Sequence, residues 1–228
     1  MPKKILSIAT ALLLATVYTT AQAADLDERA EQAGDVVEAL ASIPESGIPP
    51  KLLEDAYAIA VIPNVYKVGF FLGGRYGKGL LTVRNKNREW SNPAFVTLTG
   101  GSFGFQFGAQ ATDLILVFKN KRSIDNIVNG KVTLGVDAAV AAGPLGRRGE
   151  ADTDAQMKAE IYSYSRSRGL FAGVSLDGAA VQIDGDADAT YYGKDVSADT
   201  IFEDTELKRP ASARKFIQIL NRYTPKPS

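Results

Sequence analysis

Apolar positions along the chain change period near residue 58. Before it, Leu26, Ala30, Ala33, Val37 and Leu40 recur at helical spacing, which predicts an amphipathic first helix. Pro49-Pro50 opens a second, short helix over "KLLEDAYA", proline being tolerated in a first helical turn. From Ala58 the pattern becomes β: "AIAVI", "VGFFLGG", "GLLTV" and "AFVTL" read as strands, with Pro63-Asn64 as a turn signal. The clearest alternation is "GSFGFQFGAQ", where Phe103, Phe105 and Phe107 share one face. "DLILVF" (113–118) is apolar enough to be buried on both faces.

Ser123 is placed to cap a short helix through Val128, with Gly130 just past its end. "KVTLGVDAAVAAG" alternates again, with Leu134, Val136, Ala138 and Val140 on one side. "GRRGEADTDAQMKAE" is polar and reads as a long loop. "IYSYSRSRG" sets Tyr162, Tyr164, Arg166 and Arg168 against serines, and "LFAGVSLDGAAVQI" supplies two strands around the hairpin signal Asp177-Gly178. The last helix enters at Pro210 and buries Phe216, Ile217 and Leu220. The predicted fold class is therefore α+β: a strongly curved antiparallel sheet, or barrel-like core, with N-terminal and C-terminal helices.

The opening "MPKKILSIATALLLATVYTTAQAAD" changes where that domain begins. Lys3 and Lys4 form a positive region, Ile5–Val17 is apolar and uncharged, and Ala21-Gln22-Ala23 has the small residues of a signal-peptidase site. The expectation is a signal peptide over 1–23, export to the periplasm, and a single domain over 24–228. Within it, 24–57 holds the N-terminal helices and 58–228 the β-rich core and C-terminal helix. The chain contains no cysteine, so an exported domain of this size rests on its core alone.

Charge totals favour no partner, with 26 basic against 26 acidic residues. Their distribution is uneven. Residues 119–148 carry Lys119, Lys121, Arg122, Lys131, Arg147 and Arg148 against two acids, between acidic segments at 24–57 and 184–206. Such a segment can present one positive face, or be an ordinary solvated surface. Nothing in the balance suggests nucleic acid as a partner.

Catalytic motifs fail one by one. "KVGFFLGGRYGKGLLTVR" (67–84) has five glycines, but Gly77-Lys78 is followed by Gly79 and by β-like residues, so it is not a phosphate loop. Its glycines are better explained as bulges and close-packing points of a curved sheet, with no room for a Cβ expected at Gly73 and Gly74. "GGSFG" (100–104) matches a nucleophile elbow at Ser102, yet the segment alternates as a strand and the chain contains no histidine. Ser212-Ala-Arg-Lys215 fits S-x-x-K without its companion motifs. Asp184, Asp186 and Asp188 have the first three spacings of a calcium loop, but Ala189 stands at the glycine position and Asp195 at the glutamate position. The alternative there is an acidic loop capping a helix into "ATYYG". No cofactor or metal is expected.

The segments "AYAIAVIPNV", "GGRYGKGLLTVR", "WSNPAFVTLTGGSFGFQFGAQATDLILVF", "GKVTLGVDAAVAAGPLGR", "GLFAGVSLDGAAV" and "YYG", in that order, resemble the SYLF-domain family over roughly residues 55–223. The resemblance implies a lipid-binding module of phosphoinositides or other anionic phospholipids, without catalysis, in a family that includes actin-binding yeast relatives. Here it implies a bacterial exported member, for which an actin partner is implausible. Eukaryotic members insert an N-terminal amphipathic segment into the membrane. The corresponding helix here carries Asp25, Asp27, Glu28, Glu31, Asp35 and Glu38 against Arg29, the wrong charge for anionic lipid. The expected function is binding of anionic phospholipid or a membrane surface by Lys67, Arg75, Lys78, Lys119, Lys121, Arg122, Arg147 and Arg148. The alternative is a structural module whose partner is an envelope protein.

Overall fold

The computed structural model describes residues 22–39, 47–69, 72–103, 109–145, 159–167, 170–193 and 195–224. Helix α1 covers 22–39 and α2 Pro50–Glu54. The strands are β1 Ala58–Gly69, β2 Leu72–Val83, β3 Ala94–Phe103, β4 Ala109–Phe118, β5 Lys131–Thr133, β6 Val140–Ala142, β7 Ile161–Ser167, β8 Leu170–Gly173 and β9 Ala179–Ile183. Helix α3, Lys121–Val128, follows β4; α4 (Gly185–Tyr192), α5 (Ala198–Glu203) and α6 (Ala211–Tyr223) follow β9.

The strands form one sheet in the order β5-β9-β3-β2-β1-β4-β7-β6, with β8 also paired to β7. Every pairing is antiparallel except β6 with β7. Chain length forces the curl. Laid flat, eight strands would put β5 about 34 Å from β6. Seven residue steps from Thr133 to Val140 reach at most about 25 Å, and a turn at Gly135 (φ +82) shortens that further. Residues 134–139 in fact bond to both sides of the sheet. Leu134 N–H donates to Ala179 O of β9, while Glu160 and Ile161 N–H donate to Ala139 O. The sheet is a half-barrel whose two ends are tied across its concave side.

Both faces are buried, which is why β1 and β4 read as continuous apolar runs. Ile59, Val61, Leu80, Phe95, Ile115, Val117, Tyr162 and Tyr164 pack on the convex side against α1, α2 and α6. Ala60, Ile62, Val65, Leu81, Val96, Leu98, Leu114, Leu116 and Phe118 pack on the concave side against α3 and α5. Leu26, Ala30, Ala33 and Val37 dock α1 as its periodicity requires. Glu31 and Glu38 on α1 pair with Lys215 and Arg222 on α6 at 3.6 and 3.4 Å. Among the described residues no helix is long and apolar enough to cross a membrane.

Four local expectations change. "GSFGFQFGAQ" is not one strand: β3 ends at Phe103, β4 starts at Ala109, and β2 and β1 lie between them. Phe105 and Phe107 lie outside the described residues. "KVTLGVDAAVAAG" turns at Gly135, so Leu134 and Ala138 are buried while Val136 is 76% exposed. Asp177-Gly178 does make a turn, with Gly178 at φ +77, but β8 pairs with β7 and β9 with β3 and β5 rather than with each other. The α3 cap is Asn120, whose side chain accepts from Ser123 N–H.

Candidate functional site

The end of the sheet built by β1 and β2 owes its chemistry to a bulge. The β1–β2 register runs Val61↔Leu80 and then Tyr66↔Tyr76, so β1 carries one extra residue between them. The irregularity falls at Pro63-Asn64, where Asn64 has φ +49 and its N–H donates to the Asp113 carboxylate at 3.1 Å. An extra residue reverses which face each later side chain takes. Ile62 and Val65 therefore both point to the concave side. Lys67 follows onto that side, and Tyr66 goes to the convex one.

Two cross-strand pairs result. Tyr66 and Tyr76, directly opposite on the convex face, are 55% and 48% exposed. Lys67 and Arg75 stand opposite on the concave face. Arg75 is partly buried; one guanidinium nitrogen donates to Ser175 O at 3.4 Å, and burial lowers its pKa. Arg75 Nε is buried without a hydrogen-bond partner.

Among the described residues the other basic candidates are not brought to this pair. Lys78, three residues from Arg75, takes the opposite face and bonds Asp184 at 2.8 Å. Lys119, Lys121 and Arg122 follow the end of β4 that pairs with Ala58, about 30 Å along the sheet from Lys67. Lys121 is there paired with Asp125. Arg147 and Arg148 lie outside the described residues. Among the described residues the register separates Lys67 and Arg75 from Lys78 and from Lys119, Lys121 and Arg122.

The other motifs resolve into structure. Asp184 is the α4 N-cap, accepting from Ala187 N–H as well as from Lys78. Burial raises its pKa, but the Lys78 hydrogen bond and charge outweigh that and hold it below the usual value. Asp188 is fully buried and accepts from Phe95 N–H at 2.7 Å, with its pKa pushed up to about 7 by burial. Among the described residues no cluster of three or more acidic groups is placed to hold a metal ion. Ser102 sits in β3 opposite Gly73, within a strand and not at a strand-to-helix elbow. Ser212 is bonded between Asp27 and the Tyr191 hydroxyl, tying α1, α4 and α6 together, while Lys215 pairs with Glu31. Nothing among these groups points to catalysis.

A cleft of about 560 Å³ opens at the far end, between α3, α5 and the 84–87 turn, over Tyr57, Val83, Ile124 and Phe202. Beside it, Arg84 is buried against Trp90 at 4.2 Å and bonds the Thr224 carbonyl. Sequence reasoning missed Arg84 and the exposed tyrosine pair, and met Asp188 only as a calcium-loop position rather than as the buried acceptor of Phe95 N–H. Only the tyrosines left a signal, as aromatic residues beside cations on two adjacent strands.

The chain is an α+β domain, a half-barrel sheet covered on both faces by helices, with Lys67, Arg75, Tyr66 and Tyr76 at its β1–β2 end. Residues 99–223 match the family described as "Ysc84: Las17-binding protein actin regulator". Over 184 residues, 80% of this chain, the sequence is 34% identical to the SH3 domain-containing YSC84-like protein 1 of Xenopus laevis and covers 55% of it. It is 37% identical over 177 residues to the SH3 domain-containing protein PJ696.02 of Schizosaccharomyces pombe (76% of this chain, 41% of that protein). It is 34% identical over 176 residues to the protein YSC84 of Saccharomyces cerevisiae (76% and 37%). The chain belongs to the Ysc84, or SYLF-domain, family. It spans about half or less of the length of these curated relatives.

Proposed function

We infer that the chain is a non-catalytic, exported module that binds anionic phospholipid at a membrane surface. The observation that carries this is the β1–β2 end of the sheet, where Lys67 and Arg75 stand on one face and the exposed Tyr66 and Tyr76 on the other. Tyrosine settles at the head-group level of a bilayer, apolar ring inward and hydroxyl in water. A basic residue near an anionic leaflet contributes about 1 kcal/mol. The acidic outer surface of α1, already docked on the sheet, makes that helix a poor inserting element. Lys78 and Lys121, each in an ion pair, contribute less than their charge suggests.

Tyr66→Ser with Tyr76→Ser should weaken co-sedimentation with phosphatidylglycerol vesicles and leave thermal stability unchanged. Undiminished binding by a folded double variant would remove the tyrosines from the membrane-facing surface. A second class of partner, a protein, is favoured by the family description as Las17-binding. A protein partner bound through this end would be lost in the same double variant while the wild-type chain ignored vesicles.

A further inference from the structure

The cleft of about 560 Å³ between α3, α5 and the 84–87 turn lies at the other end of β1 from Lys67. Its size falls within the range of small-molecule sites, about 300–1,000 Å³. Tyr57, Val83, Ile124, Val128 and Phe202 give it an apolar floor that includes two aromatic rings. All five belong to the concave core or pack against it, so the fold holds the floor in place.

The charged groups around the rim are not equivalent. Lys121 is bonded to Asp125 across one turn of α3 at 2.5 Å. The Arg84 guanidinium is engaged by the Trp90 ring and by the Arg88 and Thr224 carbonyls. Asp199 and Glu203, one turn apart on α5, both line the cleft, and neither makes an ion pair or side-chain hydrogen bond among the described residues. Like charges at that spacing repel. Lys86, exposed on the 84–87 turn, also makes no ion pair there, so one uncompensated cation is set against two uncompensated carboxylates. Burial raises the Tyr57 pKa, Lys121 opposes the rise, and Asp125 and Glu203 add to it, so the phenol and these charges share one part of the cleft.

We propose that this cleft binds a small organic amine, its hydrocarbon body over Tyr57 and Phe202 and its ammonium group at Asp199 and Glu203. An ammonium carries three N–H donors and no acceptor, so one group can serve both carboxylates and offset their repulsion. The hydrocarbon body displaces water from the apolar floor. The site stands apart from the lipid-binding reading, because an anionic head group brought here would meet the same two carboxylates.

The test titrates the full chain with 3-phenylpropylamine, following the Tyr57 and Phe202 ring resonances for position and calorimetry for affinity. The uncharged 3-phenylpropanol and the anionic 3-phenylpropionate have the same body, and affinity should fall in the order amine, alcohol, carboxylate. Asp199→Asn with Glu203→Gln alters two exposed side chains, so the fold is not at stake. It should weaken amine binding about fivefold, the scale of an exposed ion pair, and leave alcohol binding unchanged. Lys86→Ala should bind the amine at least as tightly as the wild type. Three outcomes would each overturn the amine site: no shift of the Tyr57 and Phe202 rings, alcohol or carboxylate binding as tight as that of the amine, or undiminished amine binding by the double variant.

Discussion

At Gly79 the backbone of β1 leaves no space for a side chain, and replacing it should damage the fold more than replacing Gly77 or Gly74. A Cβ built on Gly79 would lie 2.2 Å from the Val61 carbonyl oxygen and 2.6 Å from Ile62 Cα. Both are backbone atoms at the start of the β1 bulge, so no rotamer change relieves them. At Gly77 the obstacles are methyl groups of Val65 and Ile62 at 2.7 and 2.8 Å, which can partly turn away. At Gly74 nothing lies within 4 Å. The expectation that Gly74 has no room for a Cβ is thus corrected: the close approach lies five residues further along β2. Overpacking costs about 1–3 kcal/mol where side chains can adjust, and Gly79→Ala should sit at the top of that range. For a domain of this size about 3 kcal/mol lowers the melting temperature by about 6–12 °C. Gly74→Ala should instead be neutral or gain about 0.4–1 kcal/mol by restricting the unfolded chain. Thermal melts of the two variants by circular dichroism decide it. A Gly79→Ala protein melting with the wild type, or a Gly74→Ala protein falling equally far, would refute the close-approach explanation.

Asp188 should make stability depend on pH in the direction opposite to most carboxylates. Its folded pKa, about 7, lies above the unfolded value, so the folded state holds the extra proton and stability falls as pH rises from about 4 through 7. Asp188→Asn should flatten that fall in urea titrations, since its amide oxygen still accepts from Phe95 N–H; an unchanged slope would place the titrating group elsewhere. Lys78→Ala should cost about 1 kcal/mol at neutral pH by removing the partner of the α4 cap, while leaving vesicle binding within about twofold. Because the Asp184 pKa is depressed, that cost is present above the unfolded carboxylate value and disappears as pH falls through the folded one. Mass spectrometry of the exported protein should find Ala24 at its N-terminus, and retention of Met1 would contradict export by a cleaved signal.

What could be read from the sequence followed burial that repeats with a regular period. Leu26, Ala30, Ala33 and Val37 fix the docked stripe of α1, and the unbroken apolar run at 113–118 announces a strand covered on both faces. What could not be read depended on backbone conformation or on partners distant in sequence. Gly135 at positive φ turns a segment whose alternation is otherwise strand-like, leaving Val136 in water. The Asp177-Gly178 signal marks a turn correctly, but says nothing of which strands its arms join. The site was half visible. Lys67 and Arg75 stand among the basic candidates, yet pairing them, and separating them from Lys78, requires the β1–β2 register and the extra residue at Pro63-Asn64.

The most direct measurement of lipid binding is co-sedimentation of the wild-type chain with vesicles of pure phosphatidylcholine and of phosphatidylcholine with phosphatidylglycerol, each at low and high salt. Binding only to the anionic vesicles, weakening as salt shortens the screening length from about 30 Å at 0.01 M to about 8 Å at 0.15 M, is the expected result. Equal binding to both vesicle types, or none to either, would contradict anionic phospholipid recognition.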